Sequence, residues 1–260
     1  MIPYYQISAF TRSVFSGNPA GVCLLESALP ADTMQQIAHE NDLAETAFVL
    51  PREDGDYDLR WFTPTLEVDL CGHATLASAH ALFASGRESS DRITFHSQSG
   101  PLIVSQAGDR LVLDFPSRPA TPVSGGFEAV AAAIGITPQS VANARDMLVV
   151  IENEAALRDL TPDIAAIATL DTFAVVVTAP GDEVDFVSRV FAPRAGVDED
   201  SVTGSAHTTL IPYWAARLGK AELTARQISP RGGELFCRLE GDRVKIGGYA
   251  VTYFEGSLSI

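Results

Sequence analysis

Short runs of alternating or β-branched hydrophobic residues recur along the whole chain and predict many short strands. In the first half these runs are YYQISAF, ETAFVL, DLRWF, RITFHS, PLIVSQ and RLVLDF; in the second half they are MLVVI, FAVVV, VDFVSRVF, RQIS, ELFCRLE and RVKIGGYAVTYF. Because polar residues alternate within many of them, one face of each strand is expected to pack on a core while the other meets solvent.

Helical periodicity interrupts the strands in both halves. ADTMQQIAHEND is amphipathic, and Asp32 is a candidate N-cap. HATLASAHALFASG is apolar nearly all round, which predicts a helix that is buried on every side. Its counterpart in the second half is GSAHTTLIPYWAARLG, in which Pro212 should kink the helix or push its regular part downstream. Each half therefore reads as strands, one buried helix and more strands, which indicates an α+β fold.

The segment from residue 115 to 126 is rich in Pro, Ser and Gly, and its periodicity lapses. We therefore predict two domains, 1–117 and 118–260, with the possibility that a terminal strand crosses from one to the other. A chain of 260 residues is long enough for two domains of ordinary size.

Composition and charge exclude several classes of partner. The formal net charge is −15, with no basic stripe, so nucleic acids and anionic membranes are disfavoured. No apolar run approaches the length of a membrane span and no signal peptide is visible, which predicts a cytoplasmic protein. The three cysteines form no CxxC pair and are expected to be free thiols.

One sequence pattern occurs twice. RWFTPTLEVDLCGHAT starts at Arg60 and RVFAPRAGVDEDSVTGSAH starts at Arg189; both begin Arg-x-Phe-x-Pro-x-x-x-Val-Asp and both run into a Gly-containing helix start. The first N–H groups of a helix lack helical partners and carry a partial positive charge, so such an end can bind an anion. Two converging helix N-termini would hold a small organic acid; a duplication retained for packing alone is the alternative.

Titratable residues close to these helix starts are candidates for catalysis. Strand alternation places Glu45 among Leu43, Ala47 and Val49, where burial would raise its pKa towards the range of a general acid/base, although a glutamate in a strand usually faces solvent. His73 stands at the first helix start and Asp200 precedes the second, and each is also a common structural residue at such a position.

Motifs for phosphate loops, dinucleotide binding and paired metal ligands do not occur in the sequence. A mechanism that needs neither a metal nor a cofactor is therefore the simplest expectation.

The segments FSGNPAGV, NDLAETAF, FTPTLEVDLCGHATLA, FAPRAGVDEDSVTGSAH and QISPRGGEL, in this order, resemble the phenazine biosynthesis PhzF-like family, whose fold is that of diaminopimelate epimerase. The resemblance covers essentially the whole chain. It implies two similar lobes, each an antiparallel β-barrel-like sheet wrapped around a central helix, with the active cleft between them, and it implies a homodimer. It also implies a cofactor-independent isomerase that acts on a small cyclic carboxylic acid.

The resemblance assigns roles to individual residues. Glu45 would transfer the proton, with His73 and Asp200 as further catalytic residues. The matching substrate-binding positions are Asn18, Cys71, Gly72, Gly204 and Ser205. Two positions depart from the common family pattern: Ala44 stands where Ser often precedes the glutamate, and Ser201 stands where Pro often follows the aspartate.

Cys71 leaves a second enzymatic interpretation open. It matches the place of a catalytic cysteine in related proline racemases and epimerases, and a thiol at a helix N-terminus can have a lowered pKa. An amino- or imino-acid epimerase, racemase or dehydratase that uses Cys71 is the alternative. A non-enzymatic protein that binds a metabolite or a protein partner is the third possibility.

Overall fold

The computed structural model describes residues 1–125 and 127–260, so Gly126, the last residue of the predicted linker, lies outside the described residues. The chain divides into two compact units. The first comprises Met1–Phe115 and Ile246–Ile260, and the second comprises Pro116–Lys245. Within the described ranges, the helices are all too short or too polar to cross a membrane.

The first unit contains two helices and most of the strands. Its helices are α1 (Ala31–Asn41) and α2 (Gly72–Ala84). Its strands are β1 (Ile2–Ala9), β2 (Asn18–Leu24), β3 (Glu45–Pro51), β4 (Tyr57–Phe62), β5 (Glu67–Val68), β6 (Arg92–Ser97), β7 (Gly100–Ala107) and β8 (Arg110–Pro116), joined by the C-terminal strand of the chain, Ala250–Leu258.

The sheet of the first unit curves around α2. The C-terminal strand pairs with β1, and the ladder then runs through β2, β3, β4, β6, β7 and β8, with β5 added to the end of β4. Helix α2 contacts β1, β2 and β3 as well as β7 further along the ladder. Residues 72–79 are all buried, which confirms the prediction of a helix enclosed on every side.

Among its described residues, the second unit contains four α-helices and a comparable set of strands. The helices are α3 (Glu128–Ile134), α4 (Glu154–Arg158), α5 (Ile164–Thr169) and α6 (His207–Leu218). The strands are β9 (Thr121–Pro122), β10 (Ser140–Asn143), β11 (Met147–Val150), β12 (Val175–Pro180), β13 (Phe186–Ala192), β14 (Val197–Asp200), β15 (Glu222–Gln227) and β16 (Gly233–Glu240); β17 (Arg243–Gly248) and β18 (Ala250–Leu258) complete the chain.

The two units share one strand arrangement. In the first, β2 and β3 are parallel, β3 and β4 antiparallel, β4 and β6 parallel, and β6 and β7 antiparallel. In the second, the same sequence of relations joins β11, β12, β13, β15 and β16. The α+β class is confirmed, and each sheet is mixed rather than purely antiparallel because two of its connections are crossovers through helices or loops.

The repeated Arg-x-Phe segment forms the same local structure in both units. Arg60 of β4 donates two hydrogen bonds to the carboxylate of Glu67 in β5, at 2.7 and 2.8 Å. Arg189 of β13 donates two to the carboxylate of Glu199 in β14, also at 2.7 and 2.8 Å. Each bidentate pair links a short strand to the strand that carries the arginine: β5 to β4 in the first unit and β14 to β13 in the second.

Helix α1 begins differently from the prediction. Its N-cap is Pro30, and Asp32 lies within the first turn rather than capping it. The pyrrolidine ring fixes φ near −57°, and a carboxylate in the first turn still interacts favourably with the helix dipole.

Helix α6 accommodates Pro212 in its interior. Proline has no N–H, so the carbonyl of Thr208 loses its helical donor. The backbone N–H of Arg118 donates to this carbonyl instead, at 2.9 Å. The regular helix extends from His207 to Leu218, so the predicted start at Gly204 was three residues too early.

Candidate functional site

Glu45 is the first residue of β3, where its backbone pairs with Ala20 of the parallel strand β2. Its neighbours in the strand, Thr46 to Val49, are buried, while the carboxyl side chain itself is 17% exposed. Leu43 precedes the strand and therefore does not share the alternating face that the sequence pattern predicted. A mostly buried carboxyl group with limited access to water is a suitable position for a proton-transfer residue.

His73 lies in the first turn of α2 and faces this carboxylate. Its Nε2 atom is 3.2 Å from Oε2 of Glu45, and its side chain is only 4% exposed. On the other side of the ring, Nδ1 is 3.1 Å from the amide nitrogen of Asn18. An amide nitrogen can only donate, so this contact favours the imidazole tautomer that carries its proton on Nε2, next to Glu45.

Asn18 is held in place by the tight turn that precedes β2. Gly17 has a φ of +68°, and a Cβ atom there would lie 2.3 Å from the carbonyl oxygen of Ala9. Only glycine meets both conditions, which explains the Gly-Asn pair of the FSGNPAGV segment. Asn18 is 1% exposed. Asn18, which the sequence predicts as a substrate-binding residue, therefore contacts His73 from a fixed position.

Cys71 is the N-cap residue of α2, and its extended backbone leads directly into the helix at Gly72. Its Sγ atom lies 3.5 Å from Nδ1 of His73. The hydroxyl of Thr75 donates to the carbonyl of Cys71 and so reinforces the first turn. Gly72 and His73 present early N–H groups of a helix, which carry the positive end of its dipole.

The predicted residues of the second unit lie between β14 and α6. Asp200 is the last residue of β14, and its Oδ2 accepts a hydrogen bond from the hydroxyl of Thr203 at 2.5 Å. Gly204 and Ser205 form the turn before α6, and their carbonyls accept from the N–H groups of His207 and Thr208. The N–H groups of residues 204–206 thus precede the first helical hydrogen bond of this turn.

Gln227 organises this loop, a role that the sequence interpretation missed. The fully buried amide donates to the carbonyl of Asp200 at 2.7 Å and accepts from the backbone N–H of Thr203 at 2.8 Å. Ser229 adds a hydrogen bond to the carbonyl of Ser201 at 2.7 Å. Both residues belong to the QISPRGGEL segment, which carried the family resemblance but received no role of its own.

The surroundings of His80, Cys23 and Cys237 shift the pKa values of these residues. His80 contacts the hydroxyl of Thr252 through Nε2 at 3.1 Å, and burial lowers its pKa. Burial raises the pKa of Cys23 to about 12 and that of Cys237 further. All three cysteines are free, as predicted.

Two groups of side chains bring potential metal ligands together. The ligand atoms of Glu45, Cys71 and His73 lie within 4.8 Å of one another, and so do those of Asp54, Asp56 and His96. The first group is mostly buried, whereas the second lies at the surface and includes the His96–Asp56 ion pair.

Comparison with known proteins places the chain in a family. A model of the phenazine biosynthesis-like protein family, PhzC-PhzF, matches residues 7–256. A Pseudomonas aeruginosa protein named as an uncharacterised isomerase is 51% identical over 260 residues, covering all of this chain and 99% of the relative. A crystal structure of a PhzF-family phenazine biosynthesis protein from Enterococcus faecalis has a TM-score of 0.96 and 45% identity, covering 100% of this chain and 99% of that one.

A more distant likeness concerns the fold alone. The structure of a hydroxyproline epimerase from Agrobacterium vitis has a TM-score of 0.63 at 11% identity, covering 98% of this chain and 91% of that one. The family model covers nearly the whole chain and the Pseudomonas aeruginosa relative is 51% identical over its full length, so the chain belongs to the phenazine biosynthesis-like PhzC-PhzF family.

Proposed function

We propose that the protein is a cofactor-independent isomerase that moves a proton within a small cyclic carboxylic acid, with Glu45 as the acid/base. The observation that supports this proposal most directly is the 3.2 Å contact between the Glu45 carboxylate and His73 Nε2 at the start of α2. A largely buried carboxylate that is oriented by one imidazole has a defined position from which to remove a proton. The isomerase name of the Pseudomonas aeruginosa relative agrees with this class of reaction.

The reaction balances without an external reactant. Glu45 removes a proton from one carbon of the substrate, and the electron pair left behind is delocalised towards an oxygen of the conjugated acid. The same carboxyl group, now protonated, returns the proton to another carbon, so the double bond migrates. The N–H groups at the start of α2 stabilise the negative charge that develops in between.

Asp200, Gly204 and Ser205 are proposed substrate-binding and orienting residues of the second unit, with Asp200 retained as a catalytic candidate. Their support is the family resemblance together with the bracing of the Asp200–Thr203 loop by Gln227. Formation of a homodimer remains a prediction that rests on the family resemblance.

The substitution Glu45→Gln tests the role of the carboxylate. Because glutamine has nearly the same shape but cannot accept a proton, we expect turnover to fall by about 10²- to 10⁴-fold. The assay incubates candidate cyclic hydroxy acids in D₂O and follows both double-bond migration and deuterium incorporation by NMR. The matched control is Glu40→Gln, because Glu40 is exposed on α1.

Turnover and substrate binding, measured separately, distinguish a loss of proton transfer from a loss of binding. If Glu45→Gln isomerises and exchanges as fast as the wild-type protein, Glu45 is not the acid/base. Substrate binding by Glu45→Gln, measured by calorimetry, should persist, because the N–H groups of α2 that hold the anion are unchanged.

A second candidate function is an amino- or imino-acid epimerase or racemase that uses Cys71 as the base. The observation in its favour is the 3.5 Å contact between Cys71 Sγ and His73 Nδ1, because a thiol next to an imidazole at a helix N-terminus can deprotonate. In this case, substrate would protect the protein from inactivation by iodoacetamide, and Cys71→Ser would abolish exchange while Glu45→Gln would not.

A further inference from the structure

We propose that Glu45, Cys71 and His73 form a zinc-binding site, and that occupation of this site by Zn²⁺ switches the enzyme off. The inhibitory consequence rests on the proposed role of Glu45, whereas the metal site itself rests on geometry. The three residues supply one oxygen, one sulfur and one nitrogen ligand, with all three ligand atoms within 4.8 Å of one another. This is the mixture of donors that Zn²⁺ takes in proteins.

The separation between the histidine and the carboxylate is close to that of two ligands of a tetrahedral zinc ion. Zinc binds sulfur, nitrogen and oxygen at distances that place the ligand atoms about 3.3 to 3.6 Å apart. Nε2 of His73 lies 3.2 Å from Oε2 of Glu45, and the sulfur of Cys71 lies 3.5 Å from Nδ1 of the same ring. Nδ1 is the other nitrogen of the ring, so an ion bound to Nε2 requires the Cys71 side chain to turn until its sulfur also reaches the ion.

The charges of the site fit a divalent cation. The N-terminus of α2 alone disfavours a cation, since it is the positive end of the helix. A thiolate and a carboxylate add two negative charges, so their complex with Zn²⁺ and a neutral imidazole has no net charge.

The surroundings of the histidine also resemble those of a metal ligand. Ligating histidines usually hold their second nitrogen in a hydrogen bond to a protein group. The amide nitrogen of Asn18 takes this place at Nδ1, at 3.1 Å. Zinc binding at Nε2 would move the ring proton to Nδ1 and would require the amide to turn so that its oxygen accepts from Nδ1–H. The side chain of Glu45 is 17% exposed, and a fourth position stays available for water or substrate.

The consequence for the proposed reaction is direct. A carboxylate that is bound to Zn²⁺ cannot accept a proton from carbon, and the ion would occupy the space next to it. Proton transfer should therefore stop when Zn²⁺ binds and resume when a chelator removes it. A hard cation such as Mg²⁺ should have no such effect, because it prefers oxygen ligands and avoids thiolates.

Cobalt spectroscopy on the full chain tests the site without using activity. Co²⁺ replaces Zn²⁺ in such sites, and a cobalt–thiolate bond gives a charge-transfer absorption in the near ultraviolet. We expect this absorption to saturate at one equivalent in the wild-type protein and to be bleached by added Zn²⁺. Cys71→Ser should lose the absorption and weaken zinc binding by about 100-fold or more, since even partners outside the ligand shell contribute up to that much.

The other two cysteines provide matched controls. Cys23 and Cys237 are buried and do not belong to this group of ligand atoms, so Cys23→Ser and Cys237→Ser should keep the absorption. As a measurement that needs no variant, Zn²⁺ but not Mg²⁺ should block alkylation of Cys71 by iodoacetamide in the wild-type protein, as read by peptide mass spectrometry.

The proposal is overturned if the wild-type protein gives no sulfur-to-cobalt absorption, or if the absorption persists in Cys71→Ser. It is equally overturned if Zn²⁺ leaves the alkylation of Cys71 unchanged. None of these results depends on turnover, so failure of the zinc site and failure of Glu45 as the acid/base are distinguished by separate experiments.

Discussion

His207 shows how strongly the environment of a single residue controls its charge. It is fully buried, its Nδ1 lies 2.9 Å from the carbonyl of Thr203, and its ring packs against Phe186 with centroids 5.9 Å apart. Burial lowers its pKa to about 4 from 6.5. The ring is therefore neutral, with its proton on Nδ1, over the whole physiological range.

This burial makes stability depend on pH in a predictable direction. The folded pKa lies below the unfolded one, so the unfolded chain binds more protons between pH 6.5 and pH 4. Stability is fully present above pH 6.5 and decreases as pH falls through this window. From pH 7 to pH 5 this one group should reduce the free energy of unfolding by about 2 kcal/mol.

Urea unfolding of wild type and His207→Gln at the two pH values isolates this contribution. Because glutamine does not titrate, the variant should lose about 2 kcal/mol less than the wild type on acidification, whatever its stability at pH 7. His39→Gln, at an exposed position of α1, is the control and should follow the wild type. Equal losses in the wild type and His207→Gln would contradict a neutral, buried His207.

At the scale of elements, the duplicated Arg-x-Phe hairpin offers an internal comparison. The side chains of Arg189 and Glu199 are 11% and 17% exposed, and Arg189 also donates to the carbonyl of Leu160 at 2.8 Å. The side chains of Arg60 and Glu67 are 36% and 23% exposed. The two ion pairs have the same geometry but lie at different depths, so they should differ in their contribution to stability.

We expect Arg189→Met to reduce the free energy of unfolding by about 3 kcal/mol, because a buried carboxylate and the carbonyl of Leu160 lose their donor. Arg60→Met should cost about 1 kcal/mol or less, because water reaches that pair. Adding Glu199→Leu to Arg189→Met should recover part of the loss, since it removes the uncompensated charge. Equal costs for the two single substitutions would show that depth does not determine the strength of these pairs.

The same hairpins show which contacts cannot be predicted from sequence patterns. The periodicity predicted most of the strands and the enclosed helix α2, because these depend on local patterns of polar and apolar residues. It missed β2 and the short strands β5, β9, β10 and β14. It did not identify the acidic partners, because Glu67 stands seven residues after Arg60 whereas Glu199 stands ten after Arg189. The loops between the paired strands, residues 63–66 and 193–196, have the same length. A register shift in the pairing of β13 with β14 is present only in the second copy, so equivalent positions in sequence are not equivalent in space.

In the candidate site, too, local patterns identified some residues and missed those whose contacts are distant in sequence. Glu45, His73, Cys71 and Asn18 were found from local context and family resemblance, and the structure brings all four together in the first unit. Gln227 was missed because its partners, Asp200 and Thr203, are 27 and 24 residues away along the chain. Such contacts depend on strand pairing and leave no local pattern.

At the scale of the whole molecule, the two ends of the chain belong to the same unit. The C-terminal segment Ile246–Ile260 joins the first unit, where β18 pairs with β1. Gly248, at the start of this segment, lies against Phe10, and a Cβ atom there would be 2.4 Å from the ring. Phe10 is fully buried and has a φ of +62°, so it has little freedom to move away.

Gly248→Val should therefore destabilise the first unit specifically. Overpacking of this kind typically costs about 1 to 3 kcal/mol. The two tryptophans of the chain report the units separately, because Trp61 belongs to the first and Trp214 to the second. In a Trp214→Phe background, the fluorescence transition of Trp61 should shift to lower urea with Gly248→Val, whereas in a Trp61→Phe background the transition of Trp214 should shift less.

Gly256→Ala provides the control, because the atoms nearest to a Cβ there belong to the ring of Phe254, at 2.8 Å. That ring is 49% exposed and can turn into solvent, so the substitution should have little effect on either transition. An equal shift of both tryptophan transitions in Gly248→Val would mean that the two units unfold as one cooperative body. In that case the return of the C-terminal strand to the first unit would stabilise the whole chain and not that unit alone.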